Sequence, residues 1–202
     1  TYTEDMDDYN GVRVRTVRGS CNKNLEMISH MYRSVIAANR EGFDIAHIHS
    51  TDPCLLAGLV RTRLGLIATS HGQAYVRKKW SIPARKMSQL AERFFIKVPD
   101  VRTSVSKPLA DYYNDTYHRN VIHIPNGIKI RERPSREYLD RWGLKAEDYL
   151  FCSAGRIERT KGLSTLVEAY GRLDTDIPLV IAGGGAATDY QYFEDLKASS
   201  PE

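Results

Sequence analysis

The sequence predicts an α/β protein built on two Rossmann-like, doubly wound parallel sheets. Short β-branched runs alternate with helix-length amphipathic segments along most of the chain, which is the order of a parallel sheet with crossover helices. Within the runs, apolar and polar residues do not strictly alternate, as expected of strands covered on both faces. One charged stretch, residues 128–148, interrupts this order and separates two such units.

The predicted elements follow in chain order. Strands are predicted at 12–17, 43–49, 65–70, 101–106, 120–125, 149–155 and 177–184. Helices are predicted at 22–40, 53–63, 82–97, 107–115, 162–173 and 188–198. A polar residue before a proline marks the start of two of these helices, at Asp52-Pro53 and at Ser106-Lys107-Pro108, because proline is favoured in the first helical turn.

The charged stretch divides the chain into domains. It follows Asn126-Gly127, a turn signal. We therefore assign residues 1–127 to a first domain, 128–148 to the interdomain crossing and 149–202 to the start of a second domain. The second domain holds about two strand–helix repeats, fewer than a domain of the usual ~100 residues contains, so we expect it to be incomplete in this chain.

Composition excludes several classes of protein. The chain has 202 residues, of which 42% are hydrophobic and 27% charged, as in soluble globular proteins. No apolar run approaches the ~20 residues that cross a bilayer, and the acidic N-terminal segment does not resemble a signal peptide. Three widely spaced cysteines favour free thiols over a disulfide framework. We expect a cytoplasmic protein.

A basic segment stands out in this nearly neutral chain. Residues 75–98 contain seven lysines or arginines and one acid, and we expect the cluster Arg77, Lys78 and Lys79 to face an anionic partner, either a substrate or the inner face of a membrane. The alternative is a solvated helix face. Nucleic acid is not expected as a partner, because the aromatic residues here are spaced for burial in a helix rather than for base stacking.

The loop after the strand at 149–155 has the chemistry of an anion site. Gly155 ends the predicted strand, Arg156 and Lys161 flank the loop, and Gly162 opens a helix. In open α/β sheets ligands bind beyond the carboxyl ends of the strands, and a helix N-terminus there favours anions. The alternative is an ordinary solvated loop, since exposed lysine and arginine are common.

The wider motif resembles a known family. A strand followed by GRxxxxKG, an apolar helix and then LVIAGGG is similar to the retaining glycosyltransferases of the GT-B fold, of the family 4 or group 1 type. The resemblance implies that Arg156 and Lys161, with Gly155 and Gly162, hold the diphosphate of a nucleotide-sugar donor. It also places Gly184 near the nucleotide, although a plain strand–helix turn is an alternative for that glycine.

Upstream segments resemble the acceptor domain of the same family. The sequence FDIAHIHS, followed by GLIATSHGQAY, looks like the core that delivers a His-Gly pair at a strand end. The resemblance implies that His71 is catalytic and that Gly72, Asp52 and Asn126 line the cleft. For Asp52 the alternative is a helix N-cap, and for Asn126 a hinge turn. The stretch HGQAYVRKKW is similar to bacterial polysaccharide and rhamnosyl-type transferases.

Two departures from the family pattern affect the expected activity. The glycine-rich loop that follows the family's first strand has no counterpart before Val12, and the paired-glutamate motif has none downstream. Glu194 and Glu202 have the right mutual spacing, but their setting and their distance from Lys161 do not fit the motif. We therefore expect an internal fragment with both domains incomplete, inactive by itself.

The resemblance implies transfer of a hexose from a nucleoside diphosphate sugar to a glycan or lipid-linked acceptor, with retention of configuration. No metal cofactor is expected: the resemblance implies an enzyme that needs no bound metal, and His47 and His49 share one side of a strand without an evident third ligand. The alternative function, from a different class, is a non-catalytic module that binds a nucleotide sugar or a phosphate.

Overall fold

The computed structural model describes residues 8–22, 25–63, 65–76, 81–130, 135–185 and 190–198. The chain forms two compact units, Thr1–Lys129 and Ile130–Glu202. The division falls inside the charged stretch that the sequence singles out as an interdomain crossing. Each unit contains its own parallel sheet.

The first unit contains a hairpin and a four-stranded sheet. The hairpin pairs β1 with β2, and the sheet has the order β3-β4-β5-β6 with all neighbours parallel. The strands are β1 (Asp8–Tyr9), β2 (Val12–Arg13), β3 (Ile45–His49), β4 (Gly65–Ser70), β5 (Val101–Ser104) and β6 (Ile122–His123). Sequential parallel strands linked by helices confirm the predicted α/β class.

Helices connect these strands and begin where proline predicts. They are α1 (Glu26–Glu41), a 3₁₀ helix (Asp52–Leu59), a short 3₁₀ turn (Ala74–Val76), α2 (Ile82–Lys97) and α3 (Lys107–Tyr117). The 3₁₀ helix, α2 and α3 each carry a proline in the first turn, where its missing N–H costs no hydrogen bond. The predicted and observed bounds of α2 coincide.

The segment after β3 differs from its prediction. Instead of an α-helix over 53–63, a 3₁₀ helix ends at Leu59. The Asn39 side chain explains this end, because its amide donates to the Leu59 carbonyl at 2.8 Å and its oxygen accepts the Arg61 N–H at 2.8 Å. Backbone groups held by a side chain from another helix cannot also continue a helical ladder.

The predicted first strand, residues 12–17, is also different. Two residues pair in a hairpin with β1, across Asn10 and Gly11, which have φ of 52° and 81°. Positive φ at both central positions is the geometry of a tight hairpin turn. Arg13, at the end of β2, and Arg15 each bind one carboxylate oxygen of Glu41 at the end of α1. Beyond the hairpin, the ion pair of Arg15 rather than strand pairing holds the chain.

Aromatic side chains form the centre of the first unit's core. Phe95 on α2 and Tyr113 on α3 are fully buried, with ring centroids 5.3 Å apart. Cys54, Ala57 and Ala68 belong to the same buried cluster. Truncating a buried aromatic side chain to alanine lowers the free energy of unfolding by ~3–5 kcal/mol, so the contact between α2 and α3 is a principal source of this unit's stability.

The second unit has a two-stranded parallel sheet. Its elements are α4 (Glu137–Asp140), β7 (Leu150–Ile157), a 3₁₀ turn (Arg159–Lys161), α5 (Leu163–Tyr170), β8 (Leu179–Gly185) and α6 (Tyr190–Ala198). The strand β7 runs two residues beyond its predicted end, so Arg156 lies in the strand rather than in the loop. A register irregularity between Ser153 and Gly155, with Gly155 at φ 60°, lets the strand continue past the glycine.

Candidate functional site

Three histidines meet at the carboxyl ends of β3 and β4. His47 and His49 alternate along β3 and therefore share one side of it, with ring centroids 4.2 Å apart. His71 follows β4, and its Nε2 lies 3.0 Å from Nδ1 of His49. His71 is exposed, and Nε2 is the ring nitrogen that contacts His49.

A hydroxyl chain holds His47 on the sheet. Its Nε2 lies 2.6 Å from Oγ1 of Thr69, which lies 2.6 Å from Oγ1 of Thr103 on the next strand. Burial, followed by the neighbouring His49 and His71 rings, lowers the pKa of His47 below its ordinary value. The neutral form of His47 is therefore favoured and its Nε2 is held by Thr69, whereas the exposed ring of His71 is the part of this cluster open to a ligand.

Backbone geometry at Gly72 suits the predicted His-Gly turn. Its φ is 141°, in the region that favours glycine, and a Cβ there would meet no atom within 4 Å. A substitution at Gly72 would thus strain the backbone without a clash. The open space beside Gly72 lies next to the exposed imidazole of His71.

The sequence did not identify the side chains that hold this turn. The carboxylate of Glu92 on α2, a residue that is 2% exposed, accepts hydrogen bonds from the side chains of Gln73, Tyr75, Tyr113 and Tyr117. A signal was present, since Glu92 is the one acid in the basic segment 75–98. An isolated acid on an apolar helix face, three residues before a buried phenylalanine, points to a buried carboxylate.

The remaining predicted residues of the first unit lie on other elements, although Asp52 lines the same small cavity as Ala74 of this turn. Asp52 is the first residue of its 3₁₀ helix, after Thr51 at the N-cap, and accepts a 2.6 Å hydrogen bond from Ser88 on α2. It thus links two helices, and the N-cap alternative is wrong. Asn126 is exposed and follows β6. Residues 77–79, the predicted basic cluster, lie outside the described residues.

In the second unit the predicted donor-site residues surround the β7–α5 connection. Arg156 on β7 pairs in register with Gly184 on β8. Lys161 ends the 3₁₀ turn, and Gly162, with φ of 69°, is the N-cap of α5. Arg156 and Lys161 are exposed. The connection that carries both cations thus leads directly into the N-terminus of an eight-residue helix, where the helix dipole favours an anion.

A third cation in this loop has a different role. The guanidinium of Arg159 lies 4.9 Å from the ring centroid of Tyr192 on α6 and 3.9 Å from the Asp195 carboxylate. The Tyr192 hydroxyl in turn accepts hydrogen bonds from the backbone N–H and the hydroxyl of Ser164. Arg159 and Tyr192 thus attach the loop to α6, a contact that no sequence motif predicts.

In the part of the chain that the structure describes, no group of three or more His, Cys, Asp or Glu side chains is arranged to hold a metal ion. The absence of a metal requirement stays a prediction. Among the described helices, none is long and apolar enough to cross a membrane.

Comparison with known proteins identifies the family. The sequence model described as Glycosyltransferase Family 4 matches residues 2–132, more than half of the chain. The chain belongs to Glycosyltransferase Family 4. A second model, Glycosyl transferases group 1, matches residues 135–199, so the boundary between the two matches lies close to the division between the two compact units.

Solved structures show that this family 4 chain has the GT-B fold. Its coordinates resemble those of HepE from Anabaena, crystallised in complex with UDP, with a TM-score of 0.65 at 14% sequence identity. The match covers 88% of this chain and 50% of HepE, so the chain spans about half the length of that protein. No curated protein matches the chain.

Proposed function

We propose that this family 4 chain is part of an enzyme that transfers a hexose from a nucleoside diphosphate sugar to a glycan or lipid-linked acceptor. The observation that carries the proposal is the order of the β7–α5 connection, with exposed Arg156 near the end of β7 and exposed Lys161 immediately before the N-cap of α5, in a chain matched by two glycosyltransferase families. HepE, which has a similar fold, was crystallised with UDP.

The chemistry of the transfer explains why cations are needed there. As the bond from the sugar to the diphosphate breaks, negative charge builds up on the departing phosphate oxygens. Preorganised cations and a helix N-terminus stabilise that charge without reorganising during the step. In this proposal Arg156 and Lys161 supply the cations, and Gly155, Gly162 and Gly184 let the backbone approach the nucleotide closely.

His71 is proposed as the catalytic residue on the acceptor side. If Nε2 of His71 donates its hydrogen to His49, then Nδ1 of His71 carries a lone pair and accepts a hydrogen bond from an acceptor hydroxyl. Gly72 beside it keeps the backbone clear of the sugar. Retention of configuration is proposed from the family resemblance, with Asp52 and Asn126 as further ligand contacts.

The acceptor proposal extends to a peripheral membrane contact. Lys86, Arg93 and Lys97 on α2 are exposed at spacings that place them on one helix face. Ile82 and Leu90, 70% and 47% exposed, share that face. A basic surface with apolar residues suits the headgroup region of an anionic leaflet, where a lipid-linked acceptor resides, and we place the enzyme at the cytoplasmic side.

The test is a transfer assay on the full-length protein. UDP-, GDP- and TDP-hexoses are supplied with a lipid-linked glycan, and the anomeric proton coupling of the product is read by NMR. We expect the product to keep the anomeric configuration of the donor. An inverted product would refute retention, and nucleotide binding without any transfer would support the non-catalytic binding module instead.

A further inference from the structure

A buried carboxylate lies behind the candidate catalytic turn. The Glu92 side chain is almost fully enclosed, with 2% of the residue exposed. Burying a charged group is costly unless hydrogen bonds replace its water. In the described part of the chain these bonds come from neutral groups, so the site is not a salt bridge but a set of donors arranged around one carboxylate.

The donors are divided evenly between the two oxygens. Oε1 accepts from the hydroxyls of Tyr117, at 2.7 Å, and Tyr75, at 3.1 Å. Oε2 accepts from Nε2 of Gln73, at 3.0 Å, and from the Tyr113 hydroxyl, at 3.3 Å. A carboxylate has about four acceptor positions, and all four are therefore used. Burial raises the pKa of Tyr75, Tyr113 and Tyr117, with Glu92 adding to the effect, so the three phenols keep the protons they donate.

The same donors are also divided between two parts of the fold. Tyr113 and Tyr117 lie on α3, whereas Gln73 and Tyr75 belong to the loop that begins with His71. Ser70, immediately before His71, lies within hydrogen-bond distance of Tyr113, with the two hydroxyl oxygens 3.2 Å apart. The chain is thus fixed on both sides of His71-Gly72, by Ser70 before the pair and by Gln73 after it.

We propose that Glu92 is a positioning residue that fixes the loop of residues 71–76 and thereby holds the His71 ring against His49. Packing between α2 and α3 does not require this carboxylate, because the Phe95–Tyr113 contact already joins the two helices. The loop, by contrast, has exposed residues at both ends, His71 and Val76. It is held to α2 by the side-chain bonds to Glu92 and by Arg85, whose Nε donates to the Tyr75 carbonyl at 2.9 Å; the bonds to Glu92 are the ones that fix the Gln73 and Tyr75 side chains. The kinetic consequence of this role rests on the function proposed above, whereas the positioning does not.

Two matched variants separate positioning from general stability. Tyr75→Phe and Tyr117→Phe each delete one hydroxyl bonded to the same oxygen of Glu92, one from the loop and one from α3. Imidazole signals of the full-length protein, labelled with ¹⁵N-histidine, report the ring environments without reference to turnover. We expect Tyr75→Phe to shift or broaden the His71 and His49 signals and Tyr117→Phe to leave them unchanged, while both lower the thermal midpoint to a similar extent.

A third variant connects the positioning to turnover. Glu92→Gln keeps the shape of the side chain but places an amide NH₂ group against two hydrogen-bond donors. We therefore expect the same histidine signals to change. We also expect kcat to fall about tenfold, with the KM for the nucleotide sugar unchanged. Unaltered histidine signals in both Tyr75→Phe and Glu92→Gln would overturn the positioning role, as would equal changes in Tyr75→Phe and Tyr117→Phe. Altered signals with full activity would leave the positioning intact and instead contradict the catalytic role of His71.

Discussion

Removing either cation of the donor loop should weaken nucleotide binding by a defined amount. The variants are Arg156→Ala and Lys161→Ala. Arg156 is fixed by the pairing of β7 with β8 opposite Gly184, and Lys161 immediately precedes the N-cap of α5. Both side chains are therefore attached to defined backbone positions, and each deletion removes one positive charge from the site.

The expected size follows from the exposure of the two side chains. Opposite unit charges about 4 Å apart attract by about 1 kcal/mol in bulk water and about 4 kcal/mol at the effective dielectric of a protein surface. Arg156 and Lys161 are exposed, so the loss should lie between these limits, at ~1.5–3 kcal/mol for each charged hydrogen bond. This corresponds to roughly 10- to 150-fold weaker binding.

Calorimetric titration of the full-length protein with UDP and GDP measures the effect. Arg172→Ala is the matched control, since it deletes a cation at the other end of α5 that is paired with Glu168. Arg159→Ala tests the loop itself, and should lower thermal stability more than affinity because its guanidinium lies on Tyr192. Unchanged affinity in both Arg156→Ala and Lys161→Ala would refute the donor site, and an equal loss in Arg172→Ala would reduce it to a net-charge effect.

Three further predictions follow from the first unit. Because the pKa of His47 is lowered in the folded state, its protonation destabilises the fold as the pH falls below the ordinary histidine value of ~6.5. The thermal midpoint should therefore drop less between pH 7 and pH 5 in His47→Gln than in the wild type. An identical drop in both proteins would contradict this. Binding to anionic liposomes should decrease with salt and in the combined variant Lys86→Gln, Arg93→Gln, Lys97→Gln, since each basic residue contributes ~1 kcal/mol near such a surface. The control Lys107→Gln, which removes a cation paired with Asp111, should bind normally. Binding that does not depend on salt would exclude the electrostatic contact. Burial, with the nearby Asp52 charge, raises the pKa of Cys54 to about 12. Iodoacetamide should therefore modify exposed Cys21 at once and Cys54 only on unfolding. Equal rates of modification at the two cysteines, measured by mass spectrometry, would disprove this.

The sequence predicted elements well where local signals and tertiary structure agree. The helix α2 combines a proline in its first turn with an apolar stripe, and its predicted bounds coincide with the observed ones. The segment 53–63 has a similar start signal, but Asn39 on α1 takes the backbone groups of Leu59 and Arg61. That contact joins residues about twenty positions apart, and no local propensity encodes it.

The first predicted strand failed for a related reason. The alternation VRVRTV is typical of a strand, but Asn10-Gly11 just before it is a strong hairpin signal and favours a tight turn with β1. The arginines of this run bind Glu41 at the end of α1, a partner that could not be assigned before the course of the chain was known. Turn chemistry and a distant carboxylate together outweighed β propensity.

Knowledge of the sheet register would have located the histidine pair from the sequence. His49 ends β3 and is aligned with Thr69 in the parallel register of β4, so the chain that leaves β4 brings His71 two residues beyond that level, beside His49. A histidine at the end of one strand and another just after the end of the next strand must approach each other at the carboxyl edge of a parallel sheet. Both residues and both strands could be predicted from the sequence, but the alignment of the strands could not, so His71 was assigned a role without its partner His49. The anchor of the turn was harder still to predict, because Glu92 reaches it only through side chains contributed by three separate segments of the chain.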